Sequence, residues 1–187
     1  MGDTDDKVKS EALHIIAQHT HNLPALVVFD LDYTLWPFYC EYEEDDMPCL
    51  YPQALPILHA LKQNGISMAV ASRSPTSDVA KSFLQTLGIS SFFVTQEIFS
   101  SWTHKTEHFQ RIHATTGVPF TSMLFFDDED RNIHAVKFDF TLFFMECLMV
   151  SKMGVTSILV GDGVNLGALR QGLSEFSRKS ASTSRRV

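Results

Sequence analysis

Val27-Val28-Phe29-Asp30-Leu31-Asp32-Tyr33-Thr34-Leu35 sets an apolar strand directly against two carboxylates spaced i, i+2. A strand directs i and i+2 to one face, and where its end curls both acids can converge. Two anions at the carboxyl end of a buried strand repel each other and lose hydration, a cost that a hard cation offsets. With Mg²⁺ held there, one carboxylate can attack a phosphorus while the other handles a proton, a route to phosphoryl transfer without Ser or Cys. Taken alone, Asp-x-Asp reads equally well as a pair of solvated turn acids.

The flanking sequence decides the fold class. Upstream, Val8, Leu13, Ile15, Ile16 and Ala17 give a loosely helical pattern over 7–19 that ends at Leu23-Pro24, ahead of a strand over 25–29. Downstream, 36–51 is turn-rich and acidic, with Glu41, Glu43, Glu44, Asp45 and Asp46, and reads as a long loop rimming the first motif. Leu55, Leu58 and Leu61 predict a helix stopped by Asn64-Gly65, followed by a strand over 66–71. The step repeats twice: a helix over 75–87 before Phe92-Phe93-Val94, and a helix over 106–116 before Met123-Leu124-Phe125-Phe126. Strands alternating with helices predict an α/β protein, a Rossmann-like parallel sheet with helices on both faces and ligands at the strands' carboxyl ends.

Composition narrows the function classes. A chain of 187 residues with 44% apolar content fits one domain with a substantial core. Net charge −7 argues against a general nucleic-acid surface. The three cysteines, Cys40, Cys49 and Cys147, lack zinc-finger spacing and suit a reducing compartment, cytoplasmic or nuclear. The start, Met1-Gly2-Asp3-Thr4-Asp5-Asp6, is unlike a secretory or transit peptide, and Asp6 stands where a myristoylation signal wants Ser or Thr. No membrane or nucleic-acid partner is expected.

Polar residues fall where the strand-end rule wants them. Ser72-Arg73-Ser74 follows the strand over 66–71, Asp127-Asp128 follows Phe126, and Lys105 opens the helix between. Each has a bland reading: Asp127-Asp128 and Ser72 as helix caps, Arg73 and Lys105 as surface charges. Jointly, the acids of two strand ends would supply oxygen ligands for Mg²⁺ and leave room for waters and a phosphate oxygen. Ser72, Arg73 and Lys105 are suitable oxyanion partners. Of the histidines at 14, 19, 21, 59, 104, 108, 113 and 134, His104 and His108 are spaced i, i+4 but lack the glutamate of a His-Glu-x-x-His motif, and read as surface helix residues. No cysteine is followed six residues on by Arg, which excludes a cysteine-phosphatase loop. Gly161-Asp162-Gly163 reads as a turn into a helix beginning near Asn165.

The order Asp30-Leu31-Asp32-Tyr33-Thr34, Ser72, Lys105, Asp127-Asp128 resembles the four motifs of the haloacid dehalogenase (HAD) superfamily. Phe29 to Phe38, Ala71-Ser72-Arg73, Thr116 to Phe120 and Phe125-Phe126-Asp127-Asp128-Glu129 resemble, more closely, the eukaryotic magnesium-dependent phosphatase family, over 24–136 and 151–176. The resemblance implies a HAD-like fold with a minimal or absent cap and an Mg²⁺-dependent phosphatase; a monomer is expected. Its substrates would be small phosphorylated molecules or phosphoproteins, of phosphotyrosine or sugar-phosphate type. It also implies roles. Asp30 would be the phosphate-accepting nucleophile and Asp32 the acid and base. Asp30, Asp128 and the Asp32 backbone carbonyl would hold the metal, with Asp127 behind them. Leu31, Asp32, Ser72, Arg73 and Lys105 would line the phosphate position.

One stretch departs from that pattern. Between Val136 and Ser151 stand fourteen residues, Lys137 to Val150, ten of them apolar. They read as a helix extension packed on the sheet, as a sticky partner surface, or as sequence from an alternative transcript. Lying between Asp128 and the strand over 156–160, they could shift that strand and impair the site. The domain accordingly spans 24–176, after an N-terminal extension over 1–23 and before a small, polar, basic tail over 177–187 that reads as disordered.

Overall fold

Strand β1 (Leu26–Phe29) is wholly buried and has a parallel neighbour on each side, as its unbroken apolar run requires. The computed structural model describes residues 2–40, 47–99, 105–128 and 145–184. Within these, β2 (Ser67–Ser72), β3 (Phe93–Ile98), β4 (Met123–Asp127) and β5 (Thr156–Leu159) complete a parallel sheet in the order β3-β2-β1-β4-β5. Register is simple at the centre: Leu26 faces Ser67 on one side and Met123 on the other.

Side-chain alternation assigns the two faces. Val27, Phe29, Met68, Val70, Leu124 and Phe126 point into the larger core, closed by α1 (Asp3–Ala17), α2 (Ala54–Gln63), α3 (Ser77–Thr86) and the last helix. Leu26, Val28, Ala69, Ala71, Met123 and Phe125 point the other way, against α4 (Thr106–Thr116) and α5 (Met145–Lys152). The last helix, α6, runs Leu166–Ser184. α4 stops at Gly117, whose φ of 69° is left-handed and whose N–H returns to the His113 carbonyl at 2.8 Å. The expected α/β architecture stands, and element bounds shift by a few residues.

Three expectations differ from the structure. Helix α1 begins at Asp3: Asp3, Asp5 and Asp6 suit the positive end of the helix dipole, and Lys7 pairs with Asp3 at 2.7 Å one turn on. The tail expected to be disordered from 177 is helical to Ser184. Leu169, Leu173 and Phe176 form a buried stripe, and Ser177 is tied to the first loop, its Oγ 3.2 Å from the Asn22 carbonyl and its own carbonyl accepting from Asn22 Nδ2 at 3.0 Å. The departing stretch does not dislodge β5. Leu124 faces Thr156 and Asp127 faces Leu159 in parallel register, the Val160 N–H donates to the Asp127 carbonyl at 2.8 Å, and Val150 is fully buried in the α4 face. The loop acids over 41–46, His104, His134, the helix start near Arg131 and the stretch 137–144 lie outside the described residues.

Candidate active site

Because Phe29 faces Phe126, the next residues of β1 and β4, Asp30 and Asp127, emerge side by side at the sheet's carboxyl edge. The Asp30 N–H continues the ladder, donating to the Phe126 carbonyl at 3.0 Å. The chain then wraps around one acceptor. The Leu31 carbonyl takes bonds from the N–H groups of Thr34, Leu35 and Trp36 at 3.1, 2.8 and 3.3 Å, and Tyr33 adopts a left-handed φ of 51° to close the turn. This loop is secured from outside, with the Leu35 carbonyl accepting from Tyr51 N–H and the Thr34 carbonyl from Val164 N–H, both at 2.9 Å.

Three carboxylates converge there. Oxygens of Asp30, Asp127 and Asp128 lie within 4.8 Å of one another. Lys105, at the N-cap of α4 and only 4% exposed, extends into the cluster, its Nζ 3.0 Å from Asp30 Oδ1 and 2.8 Å from Asp127 Oδ1. Burial pushes the Asp30 carboxyl up to about 8; Lys105 pulls it down, and the charges of Asp127, Asp128 and Asp32 push it further up. Burial and then Asp127 raise Asp128 to about 7. Asp127 Oδ2 is buried with no hydrogen-bond partner among the described residues.

These features fit a divalent cation. Ionised, three carboxylates against one ammonium leave two uncompensated negative charges, the deficit that one such ion makes good. An all-oxygen donor set is what a hard cation such as Mg²⁺ selects, and the orphaned Asp127 oxygen points to the same need.

The Asp32 carboxylate takes a different course. Its Oδ1 accepts the Trp36 indole N–H at 2.7 Å and the Cys40 N–H at 3.2 Å. Trp36 is fully buried, stacked on Phe38 at 5.8 Å and edge-on to Phe83 at 6.0 Å, so the donor that holds Asp32 is itself immobile. Leu31, expected at the phosphate, buries its side chain in the core, which leaves its backbone as its contribution. Ser72 and Arg73 lie at the end of β2, beside β1, Ser72 buried and Arg73 half-buried. Tyr39 stands edge-on to Tyr33 at 4.8 Å, 44% exposed, with its phenol raised to about 12 by burial and then by Asp128, so it remains an O–H donor at the mouth.

One expectation about the site is overturned. His108, read as a surface residue, is completely buried, and its Nε2 lies 3.0 Å from the Ser72 carbonyl. The signal was present in the sequence: Lys105, His108, Phe109 and Ile112 fall at i, i+3, i+4 and i+7, the inward face of α4.

A carboxylate cluster at the carboxyl ends of a parallel sheet in this strand order, with a buried lysine from the start of the helix that precedes β4, is the core of a HAD-type hydrolase. Residues 22–179 match the family model described as Acid Phosphatase. The chain is 37% identical over 173 residues to human magnesium-dependent phosphatase 1, covering 83% of this chain and 89% of that one. It is 30% identical over 161 residues to a HAD-like hydrolase superfamily protein of Schizosaccharomyces pombe, covering 73% and 92% of the two chains. The chain belongs to the acid phosphatase family and, within the HAD superfamily, to the magnesium-dependent phosphatases. Among solved structures, a HAD-superfamily hydrolase from Ehrlichia chaffeensis superposes with a TM-score of 0.61 at 13% identity, covering 83% of this chain and 98% of that one. A haloacid dehalogenase-like hydrolase from Streptococcus pneumoniae gives 0.53 at 14% identity, covering 82% and 90%. At such identities these two report on the fold alone.

Proposed function

We propose that this phosphatase, whose cofactor is Mg²⁺, hydrolyses phosphomonoesters through an aspartyl-phosphate on Asp30, with phosphotyrosine-type or sugar-phosphate substrates. The observation that carries the reading is the joint burial of Asp30, Asp127, Asp128 and Lys105 at one strand edge. Asp30 and Asp128, with the Asp32 backbone carbonyl, would hold the cation, and Asp127 would orient Lys105. When bound, Mg²⁺ supplies charge neutralisation to the carboxylate cluster and the phosphoryl group.

The protein's own groups do the rest. Asp30 attacks phosphorus, forming the Asp30 O–P bond as the ester P–O bond breaks. Asp32 gives its proton to the departing oxygen, then takes one from a water whose oxygen attacks phosphorus and releases Asp30. The Trp36 and Cys40 N–H groups keep the acid oriented through both transfers. Lys105, with Ser72 and Arg73, balances the charge of the phosphoryl oxygens. The enzyme acts as a monomer in the reducing cytoplasm or nucleus, a placement supported by free thiols at Cys40 and Cys49.

The test is Mg²⁺-dependent hydrolysis of p-nitrophenyl phosphate, a phosphotyrosine peptide and a hexose phosphate by the full chain and by Asp30→Asn. The substitution lowers kcat by at least about a thousandfold with the fold retained. Turnover by the asparagine variant within tenfold of the parent would sink the mechanism.

A further inference from the structure

We propose that His108 is a positioning residue of the phosphate site, fixing the carboxyl end of β2, and with it Ser72, against the helix that carries Lys105. The proposal rests on the reading of Ser72 and Lys105 as phosphate partners given above.

The phosphate site draws on separate pieces of chain. Lys105 comes from the start of α4, whereas Ser72 and Arg73 come from the end of β2. Their relative placement needs a link close to the site, and His108 provides one. It lies three residues beyond Lys105 on the same helical face, so the two side chains leave α4 one above the other. Lys105 reaches across to Asp30 and Asp127, and His108 Nε2 meets the Ser72 carbonyl at 3.0 Å. A carbonyl only accepts, so Nε2 carries the proton and donates. The ring stays neutral over the working range, since burial and then Lys105 lower its pKa to about 4.

Orientation of the ring is tightly set. It stacks on Phe99 with centroids 3.8 Å apart and planes 3° from parallel, and the Arg111 guanidinium sits 4.3 Å from the Phe99 centroid. Phe99 also donates its own N–H to the Ser72 carbonyl at 3.2 Å. Strand β2 therefore does not need His108 to satisfy that oxygen. Burying an imidazole to supply a second bond costs desolvation without repairing any defect, yet it fixes the plane of the peptide that leads from Ser72 into Arg73. That plane sets where the Ser72 hydroxyl and the N–H groups after it point. A packing residue at this place would be served equally well by phenylalanine, whereas a positioning residue needs the N–H.

The experiment uses the full chain with Mg²⁺ and compares His108→Phe, which keeps a ring to stack on Phe99, with His108→Gln, which keeps a donor. KM and kcat for p-nitrophenyl phosphate, the inhibition constant of inorganic phosphate, and the Mg²⁺ activation constant are measured, with Ser72→Ala as reference. In His108→Phe, KM and the phosphate inhibition constant rise about tenfold while the Mg²⁺ constant stays within about twofold, and His108→Gln recovers most of the loss. Should the phenylalanine variant fail to fold, His108→Met is read on the same scale. Parent values of KM and the phosphate constant in the donor-free variant, with both raised in Ser72→Ala, overturn the role of His108 and leave the phosphate reading standing. Parallel weakening of phosphate and Mg²⁺ would mark His108 as a general structural residue and also overturn it. Parent values in Ser72→Ala overturn the phosphate reading and the proposal with it.

Discussion

Removing the ammonium of Lys105 tests how the buried charges are balanced. In Lys105→Met most of the aliphatic stem is kept, while the ammonium, 5.3 Å from the Phe125 ring centroid, is lost with its contacts at 2.8 Å to Asp127 and 3.0 Å to Asp30. Without metal, Asp30 is already raised to about 8 and holds a proton at neutral pH, so the pair lost is chiefly Lys105 with Asp127. Breaking a buried pair on one side typically costs about 3–5 kcal/mol. An independent bound agrees: holding a proton at pH 7 on a carboxyl with an unfolded value near 3.9 costs about 4 kcal/mol. For a chain of this length that lowers Tm by roughly 8–16 °C. The assay is thermal and urea unfolding of the metal-free protein, repeated at saturating Mg²⁺. The ion restores part of the loss, so its stabilising shift is larger in Lys105→Met than in the parent. Adding Asp127→Asn, which removes the stranded charge, recovers most of the remainder, with coupling in the double-mutant cycle of about 1–3 kcal/mol. A metal-free loss below about 1 kcal/mol, or additivity of the two substitutions, would refute the account.

With Mg²⁺ held by Asp30 and Asp128 as proposed, protons and the ion compete for the same carboxylates. With Asp30 at about 8 and Asp128 at about 7 against an ordinary 3.8, the folded metal-free protein binds more protons than the unfolded chain between those limits. This contribution to stability is present below 3.8 and is lost as pH rises through 7 and 8, while Mg²⁺ affinity rises over the same range. Calorimetry in buffers of different ionisation heat should show proton release on Mg²⁺ binding at pH 6.5 that fades by pH 9; none at pH 6.5 would contradict the raised values. Gly163→Ala should destabilise by about 1–3 kcal/mol in urea unfolding, because φ is +68° and the new Cβ would lie 2.1 Å from Tyr51 Cδ2. A neutral substitution would mean that Tyr51 yields freely, and that the clamp on Leu35 is slack.

Strand and helix order were legible because apolar runs and glycine stops recur at regular intervals, and the acids at 30, 127 and 128 sit immediately after such runs. Lys105 could be placed by order alone, but its burial between Asp30 and Asp127 needed the register of β1 on β4. What stayed hidden was mostly pairwise. The indole of Trp36 donating to Asp32 depends on a left-handed residue at Tyr33, and nothing in the residue types announces that conformation. His108 reads as polar surface from its i, i+4 spacing to His104, whereas Phe109 and Ile112, which share its face, mark that face as inward. The helical reach of α6 is not announced in the sequence, because its final residues are small and polar and the apolar stripe that anchors it ends at Phe176.

The burial of Val150 changes what the apolar stretch means for anyone trimming this protein. A cut at Lys137 and Val150, the limits of the stretch that departs from the resembled pattern, would take away a side chain of the layer that includes Leu26, Val28 and Phe125 and most of the helix leading into β5. The void would open between α4 and β5, the strand next to the one that presents Asp127, so lost activity in such a truncation would report a damaged scaffold as readily as a lost regulator. A shortened protein that keeps Met145 onward leaves that layer whole, and only there does the contribution of the stretch become separable from the scaffold beneath the carboxylate cluster.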